Sequence, residues 1–195
     1  IRTRLVGSEM CIRDSLTPGP LTTSKLTKEA MLRDVGSWDS DFKKITSEIR
    51  EKLVNILMQT SNINKIKNSD PYISIPMQGS GTFSVEAMLG TFVPKTNKAL
   101  VLSNGSYGKR CSTILNYLGR DNDIIDMGDF LPPDPELLEK KLEQDPHISH
   151  VIVIHCETSS GILNPIKIIS KIVKSFNRLS LIHFSEPTRR VLISY

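Results

Sequence analysis

Residues 99–108 read Ala-Leu-Val-Leu-Ser-Asn-Gly-Ser-Tyr-Gly, an apolar run followed at once by a turn with two glycines. The apolar run has the length of a buried strand, and asparagine, glycine and serine favour a tight turn. The following residues, Lys109–Leu118, predict a helix that Gly119 would end. A strand, a glycine turn and a helix in this order form the repeating unit of an α/β fold.

Similar units lie on both sides of this stretch. Upstream, an amphipathic helix over Asp39–Met58 is followed by an extended strand-like segment, Tyr72–Met77, and by a helix that runs through Phe92. The predicted elements downstream are strand Asp123–Met127, helix Asp134–Gln144, strand His150–His155 and helix Pro165–Phe176. This alternation predicts an α/β fold with a mainly parallel sheet and helices on both faces.

Composition excludes several classes of partner. The chain has 195 residues and 25 Lys+Arg against 21 Asp+Glu, and the basic residues are interspersed with acidic ones, so we expect no nucleic-acid partner. No apolar run approaches the ~20 residues of a membrane span, so we expect no membrane partner. Three cysteines are too few for a disulfide framework, which indicates a reducing compartment, and we expect the cytoplasm, with an organelle as the alternative.

Both ends of the chain differ from its middle. Residues 1–15 and 179–195 show no helical or alternating period, and they contain the strings VGSEMCIRDS and SLIHFSEPTRR, which resemble translated sequencing adaptors. We therefore predict that 1–15 is a non-native or disordered leader, that 179–195 is a non-native or disordered tail, and that 16–178 is the folded part.

Three loops that leave strand carboxyl ends carry unusual chemistry, and ligands of open α/β sheets bind at such ends. Gly79–Thr82 offers hydroxyl groups and a helix N-terminus, which favours a phosphate. Tyr107 lies between glycines, so its ring could lie against a planar ligand. The polar groups of His155–Gly161 could fix the orientation of that ring.

Each loop also has a simpler interpretation. Glycine and serine form plain turns, and a tyrosine is often a packing residue. Gly79–Thr82 matches neither the Walker phosphate loop nor the dinucleotide-binding fingerprint, which requires a third glycine. Adjacent strand residues point to opposite faces, so the run His155-Cys156-Glu157 cannot chelate one ion together, and no metal site is predicted.

Taken together, the motifs resemble the 2-aminoethylphosphonate–pyruvate transaminases, a family of class V aminotransferases. The resemblance spans 16–178 and rests on the strings LTPGPLTTS (16–24), KEAML (28–32), GSWD (36–39), QGSGTF (78–83), EAMLG (86–90), NGSYG (104–108) and HCETSSG (155–161). It implies a homodimeric enzyme of fold type I that uses pyridoxal 5′-phosphate (PLP). Its reaction moves the amino group of 2-aminoethylphosphonate to pyruvate, giving phosphonoacetaldehyde and L-alanine.

The resemblance also implies roles for individual residues. Residues 16–178 would form the N-terminal part of the PLP-binding large domain. The implied cofactor contacts are Ser80, Gly81 and Thr82 at the phosphate, Tyr107 stacked on the pyridine ring and Thr158 near its phenolic oxygen. Pro18, Gly19 and Pro20 would approach the substrate.

Two further groups of the family have no counterpart in this sequence. The acidic partner of the pyridine nitrogen would fall near His183 and Phe184, and the lysine that binds the cofactor aldehyde would follow residue 195. We therefore assign no catalytic residue and expect the chain alone to be inactive. The alternatives are another class V aminotransferase, of the alanine– or serine–glyoxylate type, and a non-enzymatic domain that binds a phosphate ligand.

Overall fold

The computed structural model describes residues 23–60 and 72–183. It divides the chain into two compact units, Ile1–Pro76 and Met77–Tyr195, which are described separately below. The predicted substrate-side residues Pro18, Gly19 and Pro20 lie outside the described residues, as does the leader 1–15.

The first unit contains two helices, α1 (Lys25–Ala30) and α2 (Ser40–Thr60). Ser24 caps α1, since its hydroxyl accepts a hydrogen bond from the backbone N–H of Thr27 at 3.2 Å. The long helix predicted over Asp39–Met58 corresponds to α2, whose ends differ from the prediction by one and two residues.

The prediction of a strand over Tyr72–Met77 is wrong, because the segment pairs with no strand among the described residues. A strand needs the ladder of a neighbour to satisfy its backbone groups. Here the carbonyl of Ser74 accepts its hydrogen bond from the side-chain Nε of Arg50 on α2, at 3.0 Å. The apolar composition of this segment did not reveal whether its backbone would pair with a strand or bind a side chain.

The second unit is an α/β sheet structure. Its elements in chain order are α3 (Gly81–Phe92), β1 (Lys98–Ser103), α4 (Ser106–Tyr117), β2 (Asn122–Asp126), α5 (Pro135–Gln144), β3 (Ile148–Ile154), β4 (Cys156–Glu157), β5 (Ile162–Leu163), α6 (Ile166–Ser175) and β6 (Leu179–His183). The main sheet has the strand order β2-β1-β3-β6, and every pair of neighbours is parallel. Strands β4 and β5 form a short antiparallel pair.

The core lies on both faces of the main sheet, because alternate residues of a strand point to opposite sides. On one face, Leu100 and Val151 pack with buried residues of α5 and α6. On the other, Val101 and Ile152 pack with buried residues of α3 and α4. The predicted α/β fold with a parallel sheet and helices on both faces is therefore confirmed.

The first five residues of the segment predicted to be a non-native or disordered tail, Leu179–His183, form strand β6. Its residues pair with β3 from His150 opposite Leu179 to Ile154 opposite His183. Leu181 and Ile182 pack against the two core clusters. The pairing and the packing stabilise this strand, whereas its own sequence shows no alternation. The remaining tail, 184–195, lies outside the described residues.

Among the helices that the structure describes, none combines the length and the apolar character that a membrane crossing requires.

Candidate functional site

The carboxyl ends of β1 and β3 lie side by side, because these strands are parallel neighbours in the sheet. The loop after β1 leads into α4 at Ser106, and β3 is followed directly by β4. Two of the three loops predicted to carry a site therefore meet at one edge of the sheet. This is the edge at which open α/β sheets bind ligands.

Glu157 joins these two loops. Its fully buried carboxylate accepts hydrogen bonds from the backbone N–H groups of Tyr107 (3.4 Å) and Gly108 (3.1 Å) in the first turn of α4. The residue that precedes α4 is Gly105, which has no side chain to cap the helix. A carboxylate from β4 thus caps α4 in its place, and its charge favours the positive end of the helix.

Thr158 is fixed by the residues on either side of it. The hydroxyl of Ser159 donates to Glu157 Oε1 at 2.5 Å and accepts the backbone N–H of Ser106 at 2.8 Å. Since both neighbours of Thr158 bind the start of α4, Thr158 lies beside the turn that carries Tyr107. The close approach requires glycine at position 105, where a Cβ would lie 2.5 Å from Glu157 Cγ and from Ser159 Oγ.

The third loop forms the N-terminus of α3. Ser80 caps this helix by accepting the backbone N–H of Phe83 at 3.3 Å. In the described part of the chain, the N–H groups of Gly81 and Thr82 have no hydrogen-bond partner. A Cβ on Gly81 would meet no atom within 4 Å, so the space there is open. These features suit an anionic group that accepts hydrogen bonds.

Arg110 links the third loop to the other two. Its Nη1 donates to Thr82 Oγ1 at 3.2 Å, and its Cζ lies 5.1 Å from the ring centroid of Tyr107. Through Arg110 and Glu157, the predicted residues at the phosphate, at the ring and near its phenolic oxygen are connected at one edge of the second unit. Their roles in binding stay predictions.

Sequence reasoning missed the contacts of two side chains that connect the three loops, Glu157 and Arg110. It considered Glu157 as one of several polar groups in its loop and as part of a rejected metal-binding run, and it did not consider Arg110. Nothing local in the sequence indicates that Glu157 caps a helix 49 residues away. Arg110 follows Tyr107 by three positions, a spacing that places two residues on the same helix face, but the predicted helix began at Lys109 and so left Tyr107 outside it.

The titratable groups near the site argue against a cysteine nucleophile in α4. Burial, together with the charge of Glu157, raises the pKa of the Cys111 thiol to about 12, so the thiol stays protonated at neutral pH. Burial also lowers the pKa of His155, which favours the neutral imidazole. Over 23–60 and 72–183, no cluster of three or more His, Cys, Asp or Glu residues could hold a metal ion.

Comparison of the fold with solved structures gives clear matches. The pyridoxamine-pyruvate aminotransferase from Mesorhizobium loti matches with a TM-score of 0.70 at 21% identity, over 86% of this chain and 40% of that one. The ureidoglycine-glyoxylate aminotransferase from Bacillus subtilis gives 0.71 at 22% identity, over 85% and 40%. At these identities the likeness concerns the fold alone, and it confirms part of a fold type I domain.

Comparison of the sequence is more specific, although no family profile matches the chain. The 2-aminoethylphosphonate–pyruvate transaminase of Rhizobium meliloti (strain 1021) is 53% identical over 167 residues, and transaminase 1 of that name in Paraburkholderia xenovorans (strain LB400) is 51% identical. The matches cover 86% of this chain, which spans about two fifths of the length of these curated relatives. Over 86% of its length the chain is therefore similar to part of the 2-aminoethylphosphonate–pyruvate transaminases, and its fold matches part of an aminotransferase fold.

Proposed function

We propose that this chain is part of a PLP-dependent transaminase that moves the amino group of 2-aminoethylphosphonate to pyruvate, giving phosphonoacetaldehyde and L-alanine. The observation that carries the proposal is the identity of 53% over 86% of the chain to a relative of that name. Because the chain spans only about two fifths of that relative, the activity belongs to the whole protein.

The residues at the start of α3 suit the phosphate of PLP. The N–H groups of Gly81 and Thr82 have no partner among the described residues, and the space beside Gly81 is open. A phosphate placed there would gain two backbone donors and the positive end of the helix. Ser80 supports this arrangement indirectly, because its hydroxyl holds the first turn of the helix through Phe83.

The residues at the start of α4 suit the planar ring of the cofactor. Tyr107 would stack on the ring, and Glu157 fixes its position by accepting its backbone N–H at 3.4 Å. Thr158, held between Glu157 and Ser159, would bring a hydroxyl toward the phenolic oxygen. When bound, PLP supplies an electron sink for the bonds at the carbon that carries the amino group.

The proposal extends to parts of the protein that the structure does not describe. Pro18, Gly19 and Pro20 would approach the substrate, and the lysine that binds the cofactor aldehyde would lie outside these 195 residues. The active protein would be a cytoplasmic homodimer. Support for the homodimer is the resemblance of the motif strings to the family, and support for the cytoplasm is the low cysteine count.

The test measures L-alanine production by the purified whole protein with PLP, 2-aminoethylphosphonate and pyruvate. The same protein is offered alanine or serine with glyoxylate, and the 195-residue chain is assayed alone under both conditions. We expect turnover with 2-aminoethylphosphonate in the whole protein and none in the chain alone. Faster turnover of alanine or serine with glyoxylate would assign the protein to the class V aminotransferases of the alanine– or serine–glyoxylate type. PLP binding without any turnover would favour a binding domain.

A further inference from the structure

Arg110 lies between the starts of α3 and α4 and contacts a residue of each. Its guanidinium donates to the Thr82 hydroxyl at 3.2 Å, and its Cζ is 5.1 Å from the centre of the Tyr107 ring, a distance typical of a cation–π contact. It forms no ion pair with a carboxylate in the described part of the chain. The neighbouring Lys109, by contrast, pairs with Asp126 at 3.3 Å.

The hydrogen bond from Arg110 determines how the Thr82 hydroxyl can be used. A guanidinium has only donors, so Thr82 Oγ1 must be the acceptor in this contact. The hydroxyl proton of Thr82 then points elsewhere, and no acceptor among the described residues takes it. Thr82 is thereby available as a donor. Phosphate oxygens are acceptors at neutral pH, so they match it.

Arg110 also adds positive charge beside the unpaired N–H groups of Gly81 and Thr82. Contact with the Tyr107 ring limits the movement of the guanidinium, so the charge stays close to the helix start. A lysine cannot provide both contacts in the same way, since it is a single point charge on a flexible chain.

We infer that Arg110 is a positioning residue that orients Thr82 for the cofactor phosphate while it holds the Tyr107 ring, and so sets the spacing between the phosphate and ring contacts. The inference rests on the proposed function, because the phosphate in question belongs to PLP. It adds a residue that neither the motif comparison nor the predicted phosphate loop contains.

The test compares ligands with and without the phosphate. Dissociation constants of pyridoxal and of pyridoxal 5′-phosphate are measured by calorimetry on the cofactor-free whole protein, and the Kd of pyridoxal divided by the Kd of pyridoxal 5′-phosphate isolates the phosphate contribution. We expect Arg110→Gln to reduce this ratio about tenfold, the size expected for loss of one charge-assisted hydrogen bond. Arg110→Lys should give an intermediate ratio. Lys109→Gln, which removes one charge from the same helix turn, should leave the ratio unchanged.

A double-mutant cycle separates positioning from a general structural effect. Thr82→Val removes the acceptor of the Arg110 hydrogen bond, so the double variant with Arg110→Gln should lose little more than either single variant. Additive losses, an unchanged ratio in Arg110→Gln, or an equal reduction in Lys109→Gln would each overturn the inference. If the unmodified protein binds neither ligand, the proposed function fails and the inference fails with it. If Arg110→Gln does not fold, Arg110→Lys and Thr82→Val supply the decisive ratios.

Discussion

Asn104 and Asn164 exchange two hydrogen bonds across 60 residues of sequence: Nδ2 of Asn104 donates to Oδ1 of Asn164 at 2.8 Å, and Nδ2 of Asn164 donates to Oδ1 of Asn104 at 3.0 Å. Asn164 also donates to the carbonyl of Ile154 at 2.8 Å. Both side chains are buried. The pair fastens the loop that precedes Tyr107 to the chain segment that follows β5.

Replacing Asn164 with alanine should therefore destabilise the protein. The change leaves the Asn104 amide and the Ile154 carbonyl buried with fewer partners, which should lower the free energy of unfolding by about 2 kcal/mol. Urea denaturation of the whole protein measures this loss. The control is Asn116→Ala, which removes an exposed amide that accepts from Asn122 at 2.8 Å. Equal losses in the two variants would contradict the prediction.

Two helical glycines should respond to alanine in opposite directions. At Gly108 a Cβ would lie 2.8 Å from the backbone Cα of Ser103, which cannot move aside easily, so we expect a loss of at least about 2 kcal/mol. At Gly90 the nearest atom is a methyl group of Leu118 at 3.6 Å, so alanine should stabilise α3 by about 0.5 kcal/mol. The melting temperatures of both variants, compared with that of the unmodified protein, test the two expectations. A Gly108→Ala variant more stable than the unmodified protein would refute the packing around Gly108.

Glu157→Gln should weaken the start of α4. The two carboxylate oxygens of Glu157 each accept one backbone N–H, from Tyr107 and from Gly108. Glutamine has only one oxygen, so its NH₂ group would face one of these N–H donors. We expect a loss of about 2 kcal/mol in urea denaturation, with weaker PLP binding. Asp134→Asn provides the matched control. Asp134 caps α5 through Glu136 at 2.9 Å, and asparagine caps nearly as well as aspartate, so little change is expected. A large effect only in the control would reverse this interpretation.

Lys98 should contribute to stability at neutral pH but not in strong acid. Its hydrogen bond at 2.9 Å lowers the pKa of Asp145 below the ordinary 3.8, so the folded state favours the charged carboxylate. The stabilisation is present above the unfolded pKa and is lost as the pH falls through the lower folded pKa. Lys98→Met should therefore reduce stability at pH 7 and converge with the unmodified protein near pH 2.

The control for this pH dependence is Lys95→Met, since Lys95 is exposed and forms no ion pair in the described part of the chain. Urea midpoints measured from pH 7 down to pH 2 should follow the unmodified protein in this variant. A difference between Lys98→Met and the unmodified protein that persists at pH 2 would mean that packing, and not the ion pair, causes the loss.

Local sequence patterns predicted correctly those helices and strands whose own residues carry a clear pattern. β1 and β3 are buried on both faces, so they appear as apolar runs, and the structure moves their ends by only one or two residues. The predicted start of α4 at Lys109 was three residues late, because α4 begins at Ser106. The earlier start depends on Glu157, which lies on β4 and accepts hydrogen bonds from the backbone N–H groups in the first turn of α4.

Long-range pairs explain what the sequence left open. The Asn104–Asn164 pair and the Arg110–Thr82 contact join residues that have no local pattern in common. The strand β6 and the unpaired segment Tyr72–Met77 differ mainly in whether a neighbouring strand is present. Local propensity carries no information about that neighbour.

The cap that Glu157 places on α4 has a consequence for the order of folding. A contact across 49 residues closes a long loop at a cost in entropy, so we expect it to form together with or after the pairing of β3 with β1. Partly folded chains would therefore contain the helix without its proper first turn. The edge proposed to bind the cofactor should therefore form late in folding, and we expect PLP binding only by molecules that have nearly finished folding.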